Sequence, residues 1–463
     1  MPIQHRSQIE TSISRLQQTA YGTARTSGAD FRRIISDSQD VGDLSTAFQD
    51  DAGYDQGTDL ANNLWAITND ASLNLTPDFC FQDIGYLLMD ALGGYAVSQL
   101  DAGPYQHVFT PQNVNTSRQL GQRTILKKYG GLKLVLFRDM VAENLSISGG
   151  KTGRIKVSAS YRGSGYYEED PAGYSSPAIV DDREWAYNGQ LAALRFLSNA
   201  AGTAQVETAT AAGAVTGTGN AKATVTSANL AGSPIIVTFA VTSGDSAATW
   251  AGKCRAALRA NAVINKRFIV SGSSTSIILT DRIKAANDAT LNIALDNDTS
   301  TGITPAATSA NSTAGVAATY QNYSCNLETW SLQLNNPAGD DGYRQCSDYL
   351  VSGDPLSGAV RKEYLLGVRD FMFDFTARLD TGDAMRGWLK AGTELSLDIP
   401  IFGIDANDHS LVIQHNKVRV IEAKEIPDAG GYIGISGKCR LMGDSGSIGL
   451  TATLINNVTS YSS

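Results

Sequence analysis

The sequence predicts a mainly β protein built from antiparallel β-sandwich or barrel domains, two of them, each with a flanking helix, plus a small inserted α+β domain. Three observations favour this class. Short segments that alternate apolar and polar residues recur along the 463-residue chain, separated by glycine and asparagine turns. The 45 glycines allow tight turns throughout. Between about Gly202 and Gly315 the composition shifts towards Ala, Thr, Ser, Asn and Gly, which marks a separate domain.

Residues 1–60 are predicted to form an extended N-terminal arm that packs on a partner subunit. The segment is polar, and its only candidate element is a short helix near Ser12–Thr19. Lysine is absent before Lys127. Because Met1–Ser14 has no apolar core segment, no secretory signal is expected.

The first β domain is predicted over residues 61–201. A strand at Leu64–Ile67 precedes a helix start at Thr76–Asp78, and Gly93-Gly94 ends that helix. Apolar residues lie at helical spacing within it: Phe81, Ile84, Leu88 and Leu92. Further strands are expected at Lys133–Phe137, Ala142–Ser148 and Arg154–Tyr161.

Residues 202–316 are predicted to form the inserted α+β domain. A single helix carries Trp250, Cys254 and Leu258 on one face. Strands are expected at Ala223–Thr226, Ile235–Thr242, Phe268–Val270, Ile277–Leu279 and Leu291–Leu295. The Ala/Thr-rich flanks, Thr208–Thr218 and Thr304–Thr313, are predicted to be linkers.

The second β domain is predicted over residues 317–463, where the earlier pattern returns. Strands are expected at Leu327–Leu334, Phe371–Leu379, Leu395–Ile399 and Val418–Ala423. A short helix is expected to start near Thr381–Asp383 and to end at Gly392.

The two β domains match each other at a constant offset of 278 residues. The first set, Gly153, Ile155, Val157, Ser158, Arg162 and Gly165, stands opposite Gly431, Ile433, Ile435, Ser436, Arg440 and Gly443. Chance similarity between β-rich segments is one explanation, and duplication of a domain is the other. Duplication would allow three chains to build a ring of six equivalent positions.

No catalytic site is predicted, and the protein is expected not to be an enzyme. Gly443–Gly446 is similar to the loop around a nucleophilic serine, but no histidine has the sequence context of a catalytic base. Gly149–Thr152 ends like a phosphate-binding loop, but Leu145 stands where the earlier glycine is required. Both segments are predicted to be turns.

No metal or cofactor site is predicted either. Asp296–Ser300 alternates oxygen ligands as a calcium loop does, but Gly302 is misplaced and Ala307 replaces the bidentate glutamate. A surface calcium there remains an alternative. His409 and His415 have no third ligand nearby, which favours ordinary histidines over a zinc site.

The charge balance argues against tight binding of nucleic acid. With 37 Lys+Arg against 46 Asp+Glu the net charge is −9, whereas a surface that grips DNA is usually positive. A channel through which DNA slides is compatible with this balance. Tyr166–Asp170, which ends in three acids, is predicted to be a solvated loop or part of an acidic lining.

The chain is expected to be soluble and to be made in a reducing cytoplasm. No run reaches the ~18 apolar residues of a membrane-spanning helix. The cysteines are odd in number and lack CxxC spacing, which favours buried free thiols. They are Cys80, Cys254, Cys325, Cys346 and Cys439.

The chain resembles a tail tube protein (major tail protein) of a long-tailed bacteriophage. The residues that carry the resemblance are Glu143–Ser148 with Arg154–Gly165, Asn326–Leu332, Phe371–Leu379 and Ile433–Gly443. Within the insert, Leu230–Pro234 and Gly244–Lys253 resemble a module that recurs in phage tail proteins.

This resemblance implies a structural virion protein, made in the host bacterial cytoplasm, whose β domains assemble side by side into rings. The inner strands of such a ring form a continuous barrel, and stacked rings form a hollow tube with a largely negative lumen. The implied partners are other copies of the chain, the tape measure, tail terminator and baseplate proteins, and DNA that passes transiently without sequence preference. No membrane insertion is implied. Because the chain has room for two tube domains, we expect trimeric rings with pseudo-six-fold symmetry, and otherwise hexamers.

Three other functions remain open. A baseplate or neck ring protein would have the same fold but assemble into one ring only. An adhesin would expose aromatic residues on the insert, where Phe239, Trp250 and Phe268 instead have the pattern of core residues. A tail-associated hydrolase would need a catalytic constellation. We expect the insert to project outwards, and the loops Gly103–Arg123 and Asn335–Ser357 to contribute ring-to-ring contacts.

Overall fold

The computed structural model describes most of the chain in segments. These are residues 9–25, 27, 30–36, 42–50, 64–100, 104–112, 120–175, 177–180, 182–191, 194–198, 202–317, 319–323, 326–339, 364–379, 382–403, 409–427, 433–443 and 448–462. Strands dominate these residues and helices are few, which confirms the predicted mainly β class.

The strands before the insert are β1 (Ile9–Ser14), β2 (Phe31–Ile34), β3 (Asp43–Asp50), β4 (Leu64–Leu75), β5 (Gly93–Gln99), β6 (Tyr105–Pro111), β7 (Arg123–Tyr129), β8 (Lys133–Gly150), β9 (Lys156–Gly163), β10 (Tyr167–Glu169) and β11 (Arg195–Ser198). Helix α1 (Ile84–Leu92) follows β4. The insert holds β12 (Val206–Thr210), β13 (Gly219–Thr226), β14 (Ile235–Val241), α2 (Ala247–Ala260), α3 (Ala262–Arg267), β15 (Phe268–Ser271), β16 (Ser276–Asp281), β17 (Asn292–Asn297) and β18 (Ala310–Thr313). The strands after it are β19 (Thr319–Asn322), β20 (Leu327–Asn335), β21 (Ala338–Gly339), β22 (Leu365–Leu366), β23 (Asp370–Arg378), β24 (Glu394–Phe402), β25 (Ser410–Pro427), β26 (Ile433–Leu441) and β27 (Leu450–Asn456), with α4 (Met385–Ala391) between β23 and β24.

One antiparallel sheet runs through both halves of the chain in the order β3–β4–β9–β8–β20–β23–β26–β25. Alternate residues of the central strands enter the main hydrophobic core, as Phe371, Phe373 and Phe375 do on β23. The other face carries polar residues. This alternation fixes which face of each strand is buried, because a slip of one residue would place the phenylalanines in water.

The β8–β9 and β25–β26 hairpins have the same register at the 278-residue offset. Ala142 pairs with Tyr161, and Val420 pairs with Cys439. In both hairpins a bulge follows directly, after Ala142 and after Val420. The β7–β8 and β24–β25 pairs also share a bulge at equivalent positions. Because bulges are specific local features rather than general properties of sheets, the register supports duplication over chance.

The same equivalence extends over two whole units. The pair β1–β2 corresponds to β11–β19, β3–β4 to β20–β23, and β10 to β27. The first unit, residues 9–170, therefore contains β1 to β10 with α1. The second unit, residues 194–198 and 319–456, contains β11 and β19 to β27 with α4. The insert occupies the loop between β11 and β19, which corresponds to residues 15–30 of the first unit.

This pairing divides the chain differently from the predicted boundaries at 60, 201 and 316. The described part of the N-terminal segment is no free arm, since β1 pairs with β7 and Ile13 and Ile34 lie in the main core. The helix predicted at Ser12–Thr19 is wrong, because residues 9–14 form a strand. The insert interrupts the second unit instead of separating the two halves. The predicted loop at Gly103–Arg123 contains β6.

Helix α1 is short and completely buried. It begins at Ile84, later than predicted, because Pro77, Asp78 and Cys80 form β-bridges with other segments. It ends at Gly93 as predicted, where the positive φ of 82° favours glycine. The corresponding α4 ends at Gly392 in the left-handed conformation, also as predicted.

The insert has its own hydrophobic core between two small sheets, β15–β16–β12–β18 and β14–β13–β17. Trp250, Cys254 and Leu258 are buried on one face of α2, as predicted. A second helix, α3, follows directly and was not predicted. The first predicted linker contains the end of β12 and the second contains all of β18, so the domain is larger than its apolar pattern indicated.

Candidate assembly interface

The two units are joined through a continuous strand pair, which we call the junction: residues 144–150 of β8 with residues 329–335 of β20. On its core face Leu145 opposes Leu334 and Ile147 opposes Leu332, and all four side chains are fully buried. On the other face the hydroxyls of Ser146 and Ser331 lie 3.3 Å apart. The junction therefore resembles the interior of one sheet rather than a contact between two domains.

Polar contacts close both ends of the junction. At one end Glu328 contacts Lys151 of the first unit at 3.2 Å and Arg378 of the second at 3.0 Å. At the other end the buried Asn336 donates its amide to the carbonyl of Ala91, at the end of α1, over 2.8 Å. These contacts fix the second unit against both the sheet and the helix of the first.

A hairpin found only in the first unit makes a second connection. Strands β5 and β6 follow α1, whereas β24 follows α4 after two residues. Strand β6 pairs with β27, and His107 on β6 contacts Tyr95 at 2.8 Å and Asn456 at 3.1 Å. Burial lowers the pKa of His107 to about 4, so the ring is neutral near pH 7.

The outer edges of the sheet expose the two halves of a further junction. Position by position, Leu44 on β3 corresponds to Leu334, and Ala423 on β25 corresponds to Leu145. Leu44 and Ala423 are only half-buried, whereas their counterparts are fully buried. Among the described strands, none pairs with the outer edge of β3 or with that of residues 422–427. These are open edges of the kind that pair with another chain.

The solvent face of this sheet is polar and mixed in charge. Serines and other small polar side chains predominate, and the charged side chains pair with one another: Arg162 with Asp70 and Glu143 at 3.8 and 3.6 Å, and Arg440 with Asp370 at 3.1 Å. The acidic excess of the chain is thus not concentrated on the described part of this face. A predominantly acidic lining, implied by the resemblance, is not a property of these strands.

A buried ion pair anchors the N-terminal strand to the first unit. Asp90 on α1 and Arg123 on β7 are fully buried and 2.7 Å apart, and Tyr161 donates to Asp90 over 2.9 Å. Arg123 also donates to the carbonyls of Ser14 and Arg15. Burial raises the pKa of Asp90, and the charge of Arg123 opposes that rise. The pair thus connects three elements that are distant in sequence.

The root of the insert is attached to the second unit by cations. Arg195 on β11 contacts Asp398 on β24 at 3.4 Å and donates to the carbonyl of Arg282 over 3.1 Å. The guanidinium of Arg282 lies 4.5 Å from the ring centre of Phe402. Burial raises the pKa of Asp398, and Arg195 opposes that effect. The insert is therefore attached to the second unit by side-chain contacts as well as by the two chain connections.

The motifs that resemble catalytic loops have structural positions. Gly149–Thr152 ends β8 and turns towards β9, as predicted. A Cβ at Gly149 would lie 2.4 Å from the indole nitrogen of Trp330, so this glycine permits close packing across the junction. Of Gly443–Gly446 only Gly443 lies within the described residues. Asp296 pairs with Lys222 at 3.4 Å, which leaves it in an ordinary surface ion pair.

The histidines and cysteines that the structure describes lie in the interior. His409 contacts Glu184, and burial lowers the pKa of His415 to about 4. Cys80, Cys254 and Cys439 are free and buried, and burial raises the pKa of each thiol. His5, Cys325 and Cys346 lie outside the described residues. Across the part of the chain that the structure covers, no three His, Cys, Asp or Glu side chains group to hold a metal ion.

Tyr166–Asp170 forms the exposed edge strand β10 and its flanks, with Lys133 contacting Glu169 at 2.5 Å. Of the described helices, none combines the length and apolar character needed to cross a bilayer. Sequence reasoning found the duplication but missed the open edges. Leu44 and Ala423, which are apolar but only half-buried, indicate these open edges only once the strand register is known. Scans against models of known protein families and against curated proteins find no match for this chain.

Proposed function

We propose that this is a structural virion protein that polymerises into rings and stacks them into the hollow tail tube of a bacteriophage. One observation carries the proposal: the chain joins two equivalent units edge to edge and exposes the same two edges at its ends. A contact of this head-to-tail kind repeats until a ring closes. The sequence resemblance to tail tube proteins supplies the function that such a ring would serve.

The equivalence predicts the register of the contact between chains. In the chain itself Gln333 pairs with Ser146, and the corresponding residues at the open edges are Asp43 and Lys424. Leu44 would then oppose Ala423, which completes the burial of both. Asp43 and Lys424 are exposed in the single chain and have opposite charges, so their pairing favours this register.

Three copies would contribute twenty-four strands to one closed sheet. With strands about 4.8 Å apart and tilted by about 40°, such a barrel has a backbone diameter of roughly 50 Å, which is wider than a DNA duplex. The polar face of the sheet would line the lumen. Small hydroxyl side chains and mutually paired charges give DNA few fixed cations to bind, which suits passage better than retention.

Electron microscopy of the purified, concentrated protein tests the proposal. We expect hollow tubes with regular cross-striations, and three insert projections on each ring if the ring is a trimer. Six projections would indicate a hexamer. Discrete single rings would favour a baseplate or neck ring protein of the same fold. Particles that remain monomeric at every concentration would contradict the proposal.

A further inference from the structure

We infer that an apolar groove on the second unit is a docking site for the start of β4 of another copy of this chain, an inference that rests on the proposed ring. The groove has a volume of about 480 Å³. The side chains that define it are Leu366, Val368, Phe371, Leu441 and Ile448. Val368 is 85% exposed, the highest value among the exposed large apolar residues of the described chain.

The chain already contains the corresponding contact between its own units. Tyr364, which directly precedes β22, donates to the carbonyl of Asp139 in the first unit over 2.8 Å. Its ring also lies 6.4 Å from that of Tyr21. The segment that leads into β22 of the second unit thus contacts the first unit beside the junction.

The equivalence of the two units transfers this contact to the groove. Asp139 corresponds to Lys417, and Tyr364 corresponds to Leu64 at the start of β4. The carbonyl of Lys417 accepts from Met442 over 2.8 Å, and Met442 lies between the groove residues Leu441 and Gly443. The next copy would therefore bring its Leu64 beside the groove when the open edges pair.

The groove is apolar only in the unit that would face another chain. Positions equivalent to Leu366, Val368, Phe371, Leu441 and Ile448 hold small side chains or none in the first unit: Ala66, Thr68, Ala71, Gly163 and Gly165. Within one chain the units are tethered, so a high effective concentration holds them together. Between chains no tether exists, and apolar burial must supply the affinity. The distribution of apolar residues follows this difference.

The proposed occupant has the matching chemistry in its sequence. β4 begins with Leu64 and Trp65, whereas the corresponding segment of the second unit begins with Tyr364, whose hydroxyl is bound to a backbone carbonyl. The segment thus begins with an apolar leucine where it would meet the apolar groove, and with a tyrosine where it meets the carbonyl of Asp139. In the proposed contact between chains, the groove and the residue that would occupy it are therefore both more apolar than their counterparts at the junction within the chain.

The test uses the full chain with Val368→Asp, and Ile236→Asp as the matched control. Ile236 is 61% exposed on the insert, away from either edge. Sedimentation should show that V368D raises the concentration for half-assembly at least about tenfold, because a charge replaces a valine that the contact between chains would bury. I236D should assemble as the unmodified chain does. When dispersed, both variants should have the same melting temperature as the unmodified chain.

A cross-link adds a positional readout. Leu64→Cys combined with Val368→Cys should give disulfide-linked chains of two and three copies under oxidation, whereas L64C combined with Ile236→Cys should not. Assembly of V368D at the unmodified concentration, or equal linkage in both cysteine pairs, would overturn the inference while leaving the ring proposal intact. Failure of the unmodified chain to assemble would contradict both.

Discussion

Leu145 and Leu334 oppose each other across the junction between the two units, and neither side chain is accessible to water. Their counterparts at the ends of the sheet, Ala423 and Leu44, are half-exposed. The same position in the fold is thus fully buried by its partner inside the chain, whereas at the two outer edges it has no opposing strand among the described residues. An open edge strand with a half-buried apolar side chain tends to pair with a strand of another chain unless it is covered.

Charge reversal at the predicted register should control assembly. Asp43→Lys places two lysines opposite each other, and Lys424→Asp places two aspartates there, so each single change should raise the concentration for half-assembly about three- to tenfold. The double exchange restores opposite charges and should recover most of the loss. Sedimentation at increasing concentration measures all three variants. An additive effect of the two changes, without recovery, would contradict this register.

Leucine truncation separates folding from assembly. Leu334→Ala leaves a cavity at a fully buried site and should lower the free energy of unfolding of the dispersed chain by about 2–5 kcal/mol. Leu44→Ala, at the equivalent but half-exposed position, should cost about 1 kcal/mol in the dispersed chain and mainly impair assembly. Urea unfolding and sedimentation give the two readouts. Equal effects of both substitutions on unfolding would show that the edge of β3 is already covered.

Excision of the insert should leave the rings intact. Ser198 and Thr319 pair directly across β11 and β19, so a two-residue Asn-Gly turn can replace residues 199–318. The second unit then has a short connection in place of the insert, as the first unit has between β1 and β2. Microscopy should show tubes of unchanged repeat without projections. Loss of assembly would mean that the insert takes part in the contact between chains.

Stability should fall as the pH drops from about 6.5 to 4. Burial lowers the pKa of His415 from 6.5 to about 4, so across this window the unfolded chain binds a proton that the folded chain does not. Phe137 occupies the equivalent position in the first unit, which makes His415→Phe the natural control. Urea unfolding at pH 7 and pH 5 should show a loss smaller by about 2 kcal/mol in H415F. An unchanged loss would mean that His415 does not titrate in this way.

Separating Asp90 from Arg123 should be severe. Arg123→Met leaves a buried carboxylate without its cation and should lower the free energy of unfolding by about 3–5 kcal/mol. Glu169→Gln breaks the exposed pair with Lys133 and should cost under about 1 kcal/mol. Calorimetry of the dispersed protein compares the two. A small effect of R123M would show that the N-terminal strand does not depend on this pair.

Local sequence determined the fold class of this protein and the positions at which its predicted helices end. Alternating apolar residues predicted about half of the strands, Gly93 and Gly392 predicted both helix ends, and the helical spacing of Trp250, Cys254 and Leu258 predicted the buried face of α2. These features depend on residues near each other in the chain, where steric limits and side-chain periodicity act directly. The 278-residue offset was also visible, because it compares the sequence with itself.

Only the tertiary structure decided which strands are neighbours. Ile13 belongs to the core because β1 pairs with β7, more than a hundred residues later, and no local pattern in that polar segment indicates it. The position of the insert within the second unit follows from the pairing of Arg195 with Asn322, which lie more than a hundred residues apart in the chain. The open edges emerge in the same way, since an edge is defined by the partner that a strand lacks. Strand pairing is set by hydrogen bonds and packing between distant segments, and these forces leave little trace in the order of the residues.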